Sequence, residues 1–233
     1  MFKKDKGENL IMRGLIFKTF FVTFILAVGC GFLVAAADGE DIPKVQYPVL
    51  TTSAGQSTDV DTLNIIAEEA GIKYDYCDVP TAEILKDGVG LGGRKSADTG
   101  FHVEIHSDLD KFPSGTPYKT IMFAIGASLK GMGASGLTIE DEEKRLKEAI
   151  DYCKKNDIFI IALHLGGVSK RGAPGGDNEK MIDAVAPYAD YIIAAKDSNK
   201  DGRFTNIAKE KGIPFTEVEY ALGVVDILKK AFQ

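Results

Sequence analysis

The sequence predicts an α/β fold over residues 38–233: a three-layer sandwich with a mostly parallel sheet of five or six strands, flavodoxin-like or Rossmann-like. Three observations lead there. From Pro48 onward, short apolar runs alternate with helical patterns, which is the rhythm of βαβ units. Residues 158–163 are apolar without a break, as in a central strand covered on both faces. Residues 1–37 read as an export segment, and the 196 residues that remain can bury one substantial core.

Each element follows from its own residues. Val49 to Thr52 is the first strand, and Asp59 to Ala70 its helix, stopped by Gly71. Lys73 to Cys77 is the second strand, followed by a short helix from Thr81 to Leu85. The stretch 86–117 then breaks the rhythm with Gly88, Gly90, Gly92, Gly93, Gly100 and Gly115, and long irregular excursions of this kind are usually functional. Thr120 to Ile125 is the third strand. The helix from Thr138 to Asn156 opens with Glu140, Asp141, Glu142 and Glu143 and closes with Lys154 and Lys155, charges that complement its dipole. The fourth strand is Ile158 to Leu163, and the next helix is Asp177 to Ala189, with Pro187 near its end. Tyr191 to Ala195 is the fifth strand, Phe204 to Lys211 a helix, Phe215 to Val218 a short alternating edge strand, and Leu222 to Phe232 the closing helix. Right-handed crossovers give the order 2-1-3-4-5 with a sixth strand at the edge.

The first residues follow the secretory pattern. Lys3, Lys4, Lys6, Arg13 and Lys18 precede an apolar run from Phe20 to Val34, and Ala35-Ala36-Ala37 form a small-residue exit before Asp38. The expected product is periplasmic or extracellular. Phe20 to Ala37 also reaches the length of an uncleaved membrane anchor, and Cys30 raises a lipoprotein alternative. The body after residue 37 carries 23 basic and 32 acidic side chains, a charge near −9. Such an acidic surface argues against nucleic acid and anionic membrane as partners, while a membrane-protein partner stays open. Only Cys77 and Cys153 remain in the body. Cys153 continues the stripe Leu146, Ala149, Ile150, so two separate core thiols are expected rather than a disulfide.

Three phrases stand out: Val49 to Ser57 (VLTTSAGQS), Gly126 to Ala134 (GASLKGMGA) and Lys196 to Gly202 (KDSNKDG). In them the chain resembles an uncharacterised bacterial family of exported domains, catalogued as a domain of unknown function. The resemblance implies an exported α/β domain and brings no activity or catalytic residue with it. The Gly-rich excursion with His102 and His106 has no counterpart in it.

Every distinctive phrase follows a strand and precedes a helix, and in an open parallel sheet such places share one rim, where ligands bind. The candidate ligand-binding residues are Thr52, Ser53, Gly55, Gln56 and Ser57 after the first strand, and Ser128 and Lys130 after the third. His164, Gly166, Lys170 and Arg171 follow the fourth strand, and Lys196 and Asp197 the fifth. A Gly that lets the backbone approach, hydroxyls, and a helix N-terminus favour an anion at the first turn. Asp59 and Asp61 oppose it, and the four basic residues offset them. The leading expectation is therefore an exported binding domain for a small anionic molecule, serving transport or sensing.

Other chemistry is less well spelled. Residues 131–136 match G-x-G-x-x-G, but after the wrong strand for a dinucleotide site. Residues 197–202 reproduce half of a calcium loop, and Ala208 stands where the closing carboxylate belongs. His102, Glu104 and His106 alternate and, with His164, could form a nitrogen-rich metal site. A hydrolase using His164 with Asp197 and a serine is the enzyme alternative, although no G-x-S-x-G elbow is present. A structural or interaction domain of the cell envelope is the third. No cofactor is legible, and neither is the oligomeric state.

Overall fold

Residues 42–96 and 102–233 are described by the structure, a computed structural model. The export segment expected over residues 1–37 lies outside them. Among the described residues no helix is long and apolar enough to cross a membrane.

Seven strands form one sheet: β1 (Val49–Ala54), β2 (Tyr74–Cys77), β3 (Val103–Ile105), β4 (Thr120–Ile125), β5 (Phe159–His164), β6 (Tyr191–Ala195) and β7 (Phe215–Val218). Their order is β3-β2-β1-β4-β5-β6-β7. All neighbours run parallel except β2 and β3. The six parallel strands thus stand in the order 2-1-3-4-5-6 by their own numbering. The five or six strands expected from the sequence are corrected to seven. The extra one, β3, comes out of the Gly-rich excursion and covers the edge of β2, whose N–H and C=O groups would otherwise be open to solvent. Three residues are too few for alternation to announce a strand.

The helices are α1 (Asp59–Glu69), α2 (Ala82–Asp87), α3 (Leu129–Ala134), α4 (Ile139–Lys155), α5 (Asp177–Val185), α6 (Arg203–Lys211) and α7 (Val224–Ala231). The central strands are apolar on both faces because each face meets a helical layer. Phe123, Ile125, Ile160, Ala162, Ile192 and Ala194 pack with residues of α4, α5 and α6, among them Ala149, Cys153, Met181 and Phe204. Met122, Ala124, Ile161, Leu163 and Ile193 face α1 and α7 through Leu63, Ile66, Ile227 and Leu228. Consecutive residues of one strand therefore serve opposite cores, as the pleat requires.

Local signals explain the boundaries. Thr138 and Asp141 form a capping box at the head of α4, each side chain bonded to the other's backbone N–H. Pro187 turns the end of α5 into a single 3₁₀ turn over Ala186–Tyr188. The excursion is pinned by Asp75 of β2, a fully buried carboxylate. It accepts the Tyr118 hydroxyl at 2.6 Å and the backbone N–H groups of Gly90 at 2.8 Å and Ser107 at 3.3 Å. Cys77 and Cys153 are separate, free and buried, and burial pushes both thiols up to about 12. Neither is a nucleophilic thiolate at neutral pH.

Candidate functional site

The strand order reverses between β1 and β4, which send their chains to opposite faces of the sheet. Here β1 is two residues longer than its sequence suggests, because it pairs with β4 as far as Ala54 and Ile125. Thr52 and Ser53 therefore lie inside the strand with their side chains buried, not in the loop. Beyond the strands the two loops stay joined. Gly126 N–H donates to Ala54 O at 2.9 Å, Ser128 N–H to Gly55 O at 2.7 Å, and Gln56 bridges Ala127. The crevice is narrowed by backbone pairing on the side of α4.

Beneath this closure sits a buried carboxylate that sequence reasoning missed. Glu142 accepts Gly55 N–H at 2.8 Å and the Gln56 side-chain amide at 3.4 Å. Arg145 holds it through Nε at 2.8 Å and Nη2 at 2.6 Å, and the same Nη2 donates to Ser53 O at 2.9 Å. The anion expected at the first βα turn is thus supplied by the protein itself, at the Gly55 amide. Gly55 and Gln56 both have positive φ, at 102° and 56°, and present the Gly55 N–H and the Gln56 side-chain amide to Glu142. Thr52, Ser53 and Gln56 all direct side-chain donors to Asp78 O, at 3.4, 3.4 and 2.9 Å. Glu142 and Arg145 share the helical stripe of Leu146, Ala149 and Cys153. That phase was the signal that they face inward.

On the other side of the rim the residues leave polar capacity unused. Asp59, the first residue of α1, is only 9% exposed, and its Oδ2 has no hydrogen-bond partner. The oxygen lies where a side chain on either of two glycines would have to sit. A Cβ on Gly126 would lie 2.4 Å from it, and one on Gly166 would lie 2.8 Å from it. Ser57 belongs to the same tightly packed cluster: its Oγ accepts Asp59 N–H at 3.2 Å and lies 2.8 Å from the Gly126 Cβ position. The stem of Lys170 lies across, with Cγ 2.2 Å from the Gly166 position. Its ammonium makes a contact at 3.5 Å with Ala127 O, the outer limit of a hydrogen bond. Nearby, Ser128 caps α3 by accepting Gly131 N–H at 3.1 Å, and Lys130 is exposed on the same short helix.

The remaining candidates serve the scaffold. His164 is fully buried against Phe204, with ring centroids 5.0 Å apart. Its Nε2 lies 3.0 Å from Lys170 O, and since a carbonyl can only accept, the proton sits on Nε2. Nδ1 is buried without a partner, and burial holds the imidazole below its ordinary range. Arg171 is saturated: it grips Glu179 at 2.7 Å, Asp201 at 2.8 Å and Ser198 O at 2.5 Å. Lys196 pairs with Glu219 at 2.8 Å at the surface, and Asp197 packs over Gly167. Ser53, His164 and Asp197 do not assemble as nucleophile, base and orienting acid, because Nδ1 is unpartnered and Ser53 is turned to Asp78.

The half calcium loop has other duties. Asn199 Oδ1 accepts Phe204 N–H at 2.9 Å as the cap of α6, and Asp201 is held by Arg171. The G-x-G-x-x-G spelling lies largely within helix α3, where Gly131 is required because a Cβ would meet Gln56 O at 2.0 Å. His102 and His106 both bond Glu104, at 2.6 and 2.9 Å, on edge strand β3. Their rings lie over Tyr76 and Tyr74. Three strands separate them from His164, so the four residues are not brought together. Among the described residues no group of three or more His, Cys, Asp or Glu side chains is placed to hold a metal ion.

The profile of the Domain of unknown function DUF6305 matches residues 46–232, nearly the whole body of the chain. The chain belongs to this family. No curated protein matches it by sequence. Solved structures similar to it include a proposed acylhydrolase of Bacteroides fragilis, 13% identical, with 76% of this chain and 71% of that one covered at a TM-score of 0.31. The pyridoxal kinase of Staphylococcus aureus is 12% identical, and the match covers 81% of this chain and 61% of the kinase at 0.30. The YdjI aldolase of Escherichia coli K12 is also 12% identical, with 80% and 73% covered at 0.25. The chain thus spans under two thirds of the kinase's length.

Proposed function

We propose that this DUF6305 member is an exported binding domain whose flavodoxin-like rim holds a small anionic molecule, in transport or sensing. One observation carries the reading: on the rim where the strand order reverses, the ammonium of Lys170 meets only Ala127 O among the described residues, at 3.5 Å. An ammonium left with one marginal contact on the ligand-binding rim of a parallel sheet is available to pair with an acid group. The ammonium of Lys170, held only at 3.5 Å, supplies the charge for an acid group, and the exposed Lys130 adds a longer-range attraction.

The anion site expected around Gly55 moves in this reading by one loop, to Ser57, Asp59, Gly126, Gly166 and Lys170. Arg171 and Lys196 drop out of it because their charges are already matched. A thermal-shift screen of carboxylates and phosphates on the body from residue 38 onward tests it. The expected result is stabilisation by one chemical group of compounds, lost in Lys170→Met and weakened in a salt-sensitive way in Lys130→Ala. No stabilisation by any acid at millimolar concentration would end the proposal.

A further inference from the structure

Among the described residues six large apolar side chains are more than half exposed, and four of them, Leu129, Val168, Tyr220 and Leu222, lie in segments that follow β4, β5 and β7. The three most exposed of all are in this group, Leu129 at 66%, Tyr220 at 65% and Leu222 at 61%. Apolar residues scattered singly over a surface are ordinary, whereas a concentration on one rim marks a face that meets another molecule. Since β4, β5, β6 and β7 are consecutive in the sheet, their rim segments stand in a row roughly 14 Å long at ordinary strand spacing. A row of that length suits a broad protein surface better than a small guest.

The charges of the row indicate which surface. The last two residues of each of these strands, with the segments that follow (124–138, 163–176, 194–202 and 217–223), carry five basic and four acidic side chains. The body from residue 38 carries 23 and 32, so a second acidic copy can approach this rim without the repulsion that the net charge of the body imposes. The charges are also graded along the row. Lys130, Lys170 and Arg171 follow β4 and β5 with no acid in those segments. After β6, Lys196 and Lys200 are balanced by Asp197 and Asp201, and at β7 stand Glu217 and Glu219 with no base. Lys130 is exposed and has no ion-pair partner among the described residues, and Glu219 is 68% exposed, meeting only Lys196 at the surface.

We propose that this rim is a self-complementary interface through which two copies of the chain associate. A two-fold axis passing between β5 and β6, normal to the sheet, lays the segment after β4 of one copy over that after β7 of the other. Leu129 then meets Tyr220 and Leu222, and Lys130 meets Glu219. In an isologous contact each of these pairs occurs twice. The basic end of the row faces the acidic end in both directions, and the apolar side chains supply the area between them. The association goes beyond the anion reading above and does not depend on it: a guest at Lys170, close to the axis, would be enclosed by the second copy.

Sedimentation equilibrium of the body from residue 38 onward, which contains both hydrophobic cores entire, tests this without any ligand. The expected behaviour is a monomer–dimer equilibrium with a dissociation constant in the micromolar range. Lys130→Glu and Glu219→Lys each set like charges against one another twice in a dimer, and each should weaken association by at least about tenfold. Mixed in equal amounts, the two variants should associate again, because each then meets its opposite at both contacts. Leu129→Asp should abolish the dimer with the melting temperature of the monomer unchanged, since that side chain is exposed. A wild-type chain that stays monomeric to millimolar concentration would overturn the interface, and so would a dimer that neither charge change weakens. A monomer that instead binds phosphatidylglycerol vesicles through Lys130 would also overturn it, and the rim would then face a membrane. The acid screen with Lys170→Met reads separately: its failure leaves the dimer standing, and a monomeric chain leaves the anion reading standing.

Discussion

At the scale of single residues, the electrostatics of this chain are decided by which carboxylates the fold has already used. Glu142 is buried and fully engaged by Gly55 and Arg145, so removing the cation strands a charge in the core. Arg145→Met should lower unfolding free energy in urea by about 3–5 kcal/mol, the range found when one member of a buried pair is deleted. A loss under about 1 kcal/mol would mean that Arg145 is not what holds Glu142 against the Gly55 loop. Asp201 offers a pH test. Its hydrogen bond with Arg171 comes first among the causes that hold it at about 2, against an ordinary 3.8. The folded value lies below the unfolded one, so the pairing contributes stability above pH 4 and loses it as pH falls from about 4 toward 2. The side chain is 58% exposed, so the effect on stability is small. Carboxyl carbon NMR should show the low value directly, and Arg171→Met should return it to the normal range.

At the scale of elements, two glycines of one short helix make opposite predictions. Gly131 and Gly133 both lie in α3. A methyl group on Gly131 would meet Gln56 O at 2.0 Å, whereas at Gly133 it would meet nothing within 4 Å. Gly131→Ala should destabilise by about 1–3 kcal/mol through overpacking of the backbone against the first loop. Gly133→Ala should stabilise by about 0.5–1 kcal/mol through helix propensity. Melting curves of the two variants check the pair, and equal effects would show that α3 does not pack on the loop of Gln56. Element boundaries were legible where periodicity or capping carried them, as in α4. They failed where pairing with a neighbour carried them. β1 continues through Ser53 and Ala54 because β4 offers a partner to that depth, and no local pattern in those residues says so.

At the scale of the whole molecule, export and binding are one proposal about where the domain works. N-terminal sequencing of protein recovered from the periplasm or medium should begin within a few residues of Asp38. Intact chain found only in membranes would refute cleavage. The surface bears on the partner as well. Leu129, Val168, Tyr220 and Leu222 are large apolar side chains 56–66% exposed, and each lies in a segment that follows a strand. They add apolar area to the rim that carries Lys170.

The sequence by itself determined the α/β class, the order of the six parallel strands, the helices with strong amphipathic or capping signals, and the burial of both thiols. These depend on local periodicity and on chain-crossing rules that act between neighbours in sequence. It also placed the distinctive phrases on one rim, because βα loops of a parallel sheet must lie at one end. Only the tertiary structure decided which polar groups of that rim are still free. Glu142 lies 87 residues from the Gly55 amide it fills, and Asp201 lies 30 residues from the Arg171 it occupies. Whether a charge is available to a guest depends on partners distant in the chain. The same packing leaves Asp59 Oδ2 without one, between two glycines that are 40 residues apart.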